Sequence, residues 1–166
     1  MQFDFVFIDS GTGGIPYMLY LAEKYPGFSS MYVADTENFP YGEKTHERII
    51  ETLTKLVEKI LSIVEPKVIV IACNTMSVTA LSVPFVGTVP AVKLAQRISK
   101  NKKIGLLATE RTVLEPYTDT LISDFASDCE VYKRGDAELV SFIEYNYSSS
   151  TKKERYKALE GAHQYF

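Results

Sequence analysis

The chain has no tryptophan, and among its 166 residues there are only two cysteines and two histidines. Cys73 and Cys129 lie too far apart to suggest a disulfide framework, so a reducing compartment, the cytoplasm, is the expected location. No cluster of His, Cys or carboxylates shows metal-ligand spacing. An excess of positive charge is also missing. The net charge of −3 gives no broad attraction for nucleic acid or an acidic membrane surface. Any anionic ligand must then be met by local donors such as backbone N–H groups. No apolar run approaches the length of a membrane span. The apolar start FDFVFI is short, carries Asp4 and runs into a glycine-rich turn, so no signal peptide is expected.

What is present suits a globular protein with a core, because 46% of residues are hydrophobic and 23% charged. Short β-rich runs alternate with longer helical ones. Strands are expected at Phe3–Ile8, Ser30–Ala34, Val68–Ile71, FVGTV, KIGLLA and, more weakly, CEVY. Helices are expected at Ile15–Lys24, Thr45–Val64, MSVTALSV, Val92–Ser99, Thr112–Phe125, Ala137–Tyr147 and from Thr151 onward. In the long helix Ile49, Ile50, Leu53, Leu56, Val57, Ile60 and Leu61 recur at helical intervals, and Thr45 is its cap candidate. Pro66 is read as ending that region, and Pro116 as sitting in a first turn. This alternation predicts an α/β fold of βαβ units with a parallel sheet. SKNKK is read as a hinge, giving a first lobe over 1–98 and part of a second over 99–166.

In open parallel sheets, ligands gather at the carboxyl ends of the strands. Four polar segments directly follow predicted strands: DSGTGG, DTENFPYG, CNTMS and ATERT. Cys73 stands at a strand end just before a helix, where free N–H groups favour the thiolate, so its proton is expected to leave more easily. A buried core cysteine is the plainer reading, and position alone weighs the two equally. Asn74 and Thr75 bring an amide and a hydroxyl beside the sulfur.

Several cysteine chemistries can be tested on the residues around it. A cysteine phosphatase needs an arginine where Thr79 stands. A disulfide oxidoreductase needs a second cysteine where Met76 stands. A cysteine hydrolase needs a nearby histidine, and His46 and His163 are not well placed by the topology. DSGTGG lets backbone N–H groups approach a ligand, but it lacks a Walker lysine and a full dinucleotide fingerprint. Asp9 can orient, or exchange a proton with, an amino group or thiol. Its plainer role is to cap the following turn through Ser10 and the backbone. Tyr41 and Gly42 offer a hydroxyl and a backbone N–H, or a simple turn. Thr109 and Thr112, three apart at a helix start, can cap that helix or bind a carboxylate.

Taken together, FIDSGTGG, VADTENFPYGEKT, VIVIACNTMS, VPAVKLA and KIGLLATERTV resemble the amino-terminal part of glutamate racemases, in the cofactor-independent aspartate/glutamate racemase superfamily. The resemblance implies two α/β lobes with the carboxy-terminal part missing here, and no metal or pyridoxal phosphate. It implies that Cys73 is one of two catalytic cysteines, assisted by Asp9. By the same mapping Asp9, Ser10, Tyr41, Gly42, Asn74, Thr75, Thr109 and Thr112 contact a small-molecule substrate, glutamate. It also implies D-glutamate supply for peptidoglycan, with no nucleic acid or membrane partner, and family members are commonly homodimers.

The sequence departs from that family at the second thiol. The family's second cysteine lies in a Cys-Thr-His segment, whereas Cys129 stands in SDCEVY and is not taken as the second base. The chain is therefore expected to be a fragment, inactive by itself. Thr12, where the family usually has an aliphatic residue, and LEPY after Thr112 are smaller departures. The alternatives are an aspartate or other amino-acid racemase of the same superfamily, a non-catalytic α/β binding module, and a phosphate-ester binder using DSGTGG.

Overall fold

The computed structural model describes residues 1–79 and 86–163. They fall into two units that divide between Val89 and Pro90. The first holds strands β1 (Gln2–Asp9), β2 (Ser30–Ala34), β3 (Glu65–Ile71) and β4 (Val86–Gly87), all parallel, in the order β2-β1-β3-β4. Helices α1 (Ile15–Lys24), α2 (His46–Leu61) and α3 (Asn74–Thr79) belong to the same unit. β1 is bonded on both edges, with Ile8 opposite Val33 on one side and Ile71 on the other.

The core of this unit is the sheet face under α2. Ile49, Leu53, Val57 and Ile60 recur every three or four residues and so form one stripe, which is buried against Val6, Ile8 and Ile71. Each such side chain contributes about 1.5–3 kcal/mol by leaving water. Thr45 starts α2 as expected, its hydroxyl accepting from the Arg48 N–H at 3.3 Å. Pro66 does not precede the third strand but lies within it, opposite Phe3. Proline is tolerated there because it is near the strand's first residue.

In the second unit β5 (Lys103–Ala108) and β6 (Glu130–Gly135) pair in parallel. Around them lie α4 (Val92–Ile98), α5 (Glu110–Leu114), α6 (Pro116–Ala126), α7 (Ala137–Ser141) and α8 (Lys152–His163). α7 continues into a π-helical turn over Phe142–Asn146. The single helix expected over Thr112–Phe125 is two helices. Glu115 is extended, with φ −67° and ψ 132°, because a residue before proline is driven out of the helical region. Pro116 then opens α6, where its missing N–H costs nothing. The boundary also differs from 98/99. α4 packs on α6 and β5, and Gln96 donates to Asp128 at 3.3 Å, so α4 belongs to the second unit. The tail of the helix expected over MSVTALSV, and Phe85 of FVGTV, lie outside the described residues.

Candidate functional site

Because β1 and β3 are neighbours in parallel register, the residues just beyond their carboxyl ends lie side by side. The Ala72 N–H donates to the Ile8 carbonyl at 2.7 Å and prolongs the ladder by one step. Cys73 follows, and its Sγ lies 3.7 Å from Ser10 Oγ in a buried hydrogen-bonding contact. β2 adds the third segment, since the Asp35 N–H donates to the Asp9 carbonyl at 2.8 Å. Three of the four predicted loops thus meet in the first unit, at the carboxyl edge of its sheet.

Cys73 is only 8% exposed. Burial, followed by the Asp9 carboxylate, pushes its thiol up to about 11. The Met76 N–H and the Ser10 hydroxyl and N–H pull the other way and are outweighed. The expectation of an easily ionised thiol is therefore corrected. The helix start offers the sulfur one amide, that of Met76, too little to offset loss of water and a neighbouring negative charge.

Asp9 is buried, and its Oδ2 accepts from the Gly14 N–H at 2.9 Å and from the Tyr32 hydroxyl at 3.0 Å. Asp9 thus caps the turn that follows it and also faces the sulfur's surroundings. Tyr32, absent from the sequence-based site, closes this arrangement. Its Oη also accepts from the Gly14 N–H at 3.1 Å, and burial and the Asp9 charge push its pKa above the ordinary phenol range, so it holds its proton more tightly. Gly14 is required by proximity and not by backbone angle. A Cβ there would stand 2.6 Å from Ala72 Cβ and 2.9 Å from Tyr32 Oη. Only the sheet pairing reveals Tyr32, because in sequence it is one residue of an apolar strand.

Tyr41 opens a short 3-10 turn and is 1% exposed. Its hydroxyl is committed to Asp35, donating to Oδ2 at 2.5 Å, while Asn38 donates to both oxygens of that carboxylate at 3.1 Å. Burial and the Asp35 hydrogen bond raise the phenol far above its ordinary range, so it stays neutral. Gly42 beside it is half-buried, and Asn74 is exposed while Thr75 is buried. Ser77, also unforeseen, accepts from the Thr88 N–H at 3.0 Å and donates to the Ile71 carbonyl at 2.9 Å, tying the ends of β3 and β4 together.

In the second unit the Thr109 hydroxyl caps α5, accepting from the Thr112 N–H at 3.2 Å, and lies 3.0 Å from Thr112 Oγ1. The two hydroxyls do share one side of the turn. Gly135 lets β6 run under this turn, since a Cβ there would lie 2.6 Å from Glu110 Cγ. Cys129 precedes β6, at the amino end of the strand pair that Thr109 follows, a separation of about 20 Å along the strands. Among the described residues no group of three or more His, Cys, Asp or Glu could hold a metal ion. Among them, too, no helix is long and apolar enough to cross a membrane.

No family model matches the chain. Curated relatives do. Glutamate racemase of Treponema pallidum is 43% identical over 150 residues, covering 86% of this chain and 56% of that protein. The Proteus mirabilis enzyme is 44% identical over 144 residues, covering 82% and 50%. The chain thus spans about half the length of the curated relatives it matches. Among solved structures, Escherichia coli glutamate racemase, in complex with L-glutamate and the activator UDP-MurNAc-ala, superposes with a TM-score of 0.82 at 33% identity. That match covers 95% of this chain and 63% of the other. The Francisella tularensis glutamate racemase, in complex with D-glutamate, gives 0.71 at 25% identity. On sequence and on fold alike, this chain belongs to the glutamate racemase family.

Proposed function

We propose that this chain carries one half of a cofactor-independent glutamate racemase, with Cys73 as the thiol that exchanges the α-proton of glutamate. The observation that supports this most directly is the buried contact of Cys73 with Ser10, beside Asp9, at the carboxyl ends of two adjacent strands. The α-hydrogen of an amino acid is a very weak acid, so its removal needs a strong base shielded from water. A thiol held near 11 rests as the proton donor. It becomes a base when its own proton passes to solvent as the substrate enters, a loss favoured because the substrate ammonium offsets the Asp9 carboxylate that opposes ionisation of the sulfur. Thiolate and α-proton then give thiol and carbanion, and a donor on the opposite face returns a proton to invert the centre.

In this reading Asp9 and Ser10 hold and neutralise the ammonium. Gly42, Asn74 and Thr75, on the Tyr41 turn and the α3 start, receive a carboxylate. The opposing donor is not Cys129, which lies at the wrong end of its own strands. The product would be D-glutamate for peptidoglycan, made in the cytoplasm. The test is D-glutamate formation from L-glutamate by the gene product that contains these residues. Cys73→Ser should lower it by at least about a thousandfold, the scale lost with a catalytic proton-transfer group. Undiminished turnover would end the proposal. The 166-residue chain alone should give no turnover above background, and robust racemisation by it would restore Cys129 as a candidate.

A further inference from the structure

A cavity of the first unit, of about 550 Å³, lies between α2 and the edge strand β2. That volume is in the range of small-molecule sites, roughly 300–1,000 Å³. Its helical wall is a single stripe, since Arg48, Thr52, Lys55 and Lys59 follow one another at four- and three-residue steps. Its apolar floor comes from Met31 and Val33 of β2 and from Leu56, Ile60 and Ile63. The loop after β2 closes the far end with Asp35, Glu37 and Asn38.

The charges along the wall are unevenly satisfied. Glu51 bridges Arg48 at 2.9 Å and Lys55 at 2.6 Å, one carboxylate serving two cations. Lys59 has no ion-pair partner among the described residues. On the acidic side, the Asp35 carboxylate is already engaged by Tyr41 and Asn38. Thr52, 5% exposed, carries a hydroxyl without a hydrogen-bond partner. A buried polar atom left so is uncommon.

We infer that this cavity is a binding site for a small amphipathic organic anion, its carboxylate held by Lys55 and Lys59 and its hydrocarbon body laid on Met31, Val33, Leu56 and Ile60. Neither the thiol site nor the racemase reading is needed for it. Because Asp35 and Asn38 line the cavity and also hold Tyr41, an occupant touches the back of the Tyr41 turn.

The probe is octanoate, followed by chemical-shift changes in ¹⁵N-labelled chain, with octanamide as the neutral isostere and acetate as the anion without a body. Octanoate should give saturable shifts confined to β2, α2 and residues 34–38. Octanamide and acetate should each bind at least about fivefold more weakly, and Lys55→Gln/Lys59→Gln should weaken octanoate by about tenfold while preserving the spectrum elsewhere. The expected factors follow from two partly exposed charge contacts. Octanamide binding as tightly as octanoate would overturn the inference. So would unsaturable shifts, shifts centred on Cys73, or a double variant that binds unchanged. Should that variant fail to fold, Lys59→Gln alone must weaken octanoate by about threefold, and no change would overturn the inference equally.

Discussion

Ser10 Oγ and Cys73 Sγ stand 3.7 Å apart although 63 residues separate them in the chain. The contact follows from β1 and β3 being adjacent and parallel, so that the first residues past each strand share one edge. A hydroxyl and a thiol in a buried contact beside a carboxylate form a proton-handling group whose resting state is set by burial and by Asp9.

Ionisation of Cys73 should therefore be late and dependent on Asp9. In chain carrying Cys129→Ala, the rate of iodoacetamide alkylation should rise toward a midpoint near pH 11. Asp9→Asn should move that midpoint down, because removing the carboxylate removes a cause of the upward shift. The sign for stability agrees. The contribution of the buried neutral thiol is whole below the ordinary value of 9, and it is lost as pH rises from there toward 11. An alkylation midpoint at or below 8.5 in the Cys129→Ala chain with Asp9 intact would contradict the geometry.

Gly14→Ala should destabilise the first unit by about 1–3 kcal/mol, the cost of forcing a methyl into a closed space. The added carbon would meet Ala72 Cβ at 2.6 Å and the Tyr32 hydroxyl at 2.9 Å, and both are fixed by the sheet. Chemical denaturation measures this, and Gly27→Ala is the control, because nothing lies within 4 Å of its added carbon.

Asp4 should make the sheet sensitive to acid. Its carboxylate bonds Lys67 Nζ at 2.6 Å and the Ser29 N–H at 2.8 Å, which lower it from 3.8 to about 2. A lowered value means stability present above about pH 4 and lost as pH falls toward 2. Thermal melts of the chain and of Asp4→Asn should differ at pH 6 and converge near pH 2. A gap that widens on acidification would refute this role.

Much of the fold was legible because its signals are local. The stripe of Ile49, Leu53, Val57 and Ile60 announces α2, and the apolar run before Cys73 announces β3. The break at Glu115 was missed because Pro116 suits a first turn, and composition does not say whose first turn it is. Within the site, Cys73, Asp9 and Ser10 were readable from their place after strands. Tyr32 and Ser77 were not, since their roles arise from which strands become neighbours. The Cys73 thiol holds its proton more tightly than its place before a helix suggests, for a related reason. The helix start is visible in the order of residues, whereas burial and the facing carboxylate exist only once the sheet has formed.

β1 holds the middle of its sheet, flanked by β2 and β3, while β2 keeps one margin open. Fraying on warming should thus begin at that margin and reach Asp9 and Ser10 last. Amides of Val6–Ile8 should be the slowest in the unit to take up deuterium, so the sulfur's companions ride on the part of the molecule that yields latest.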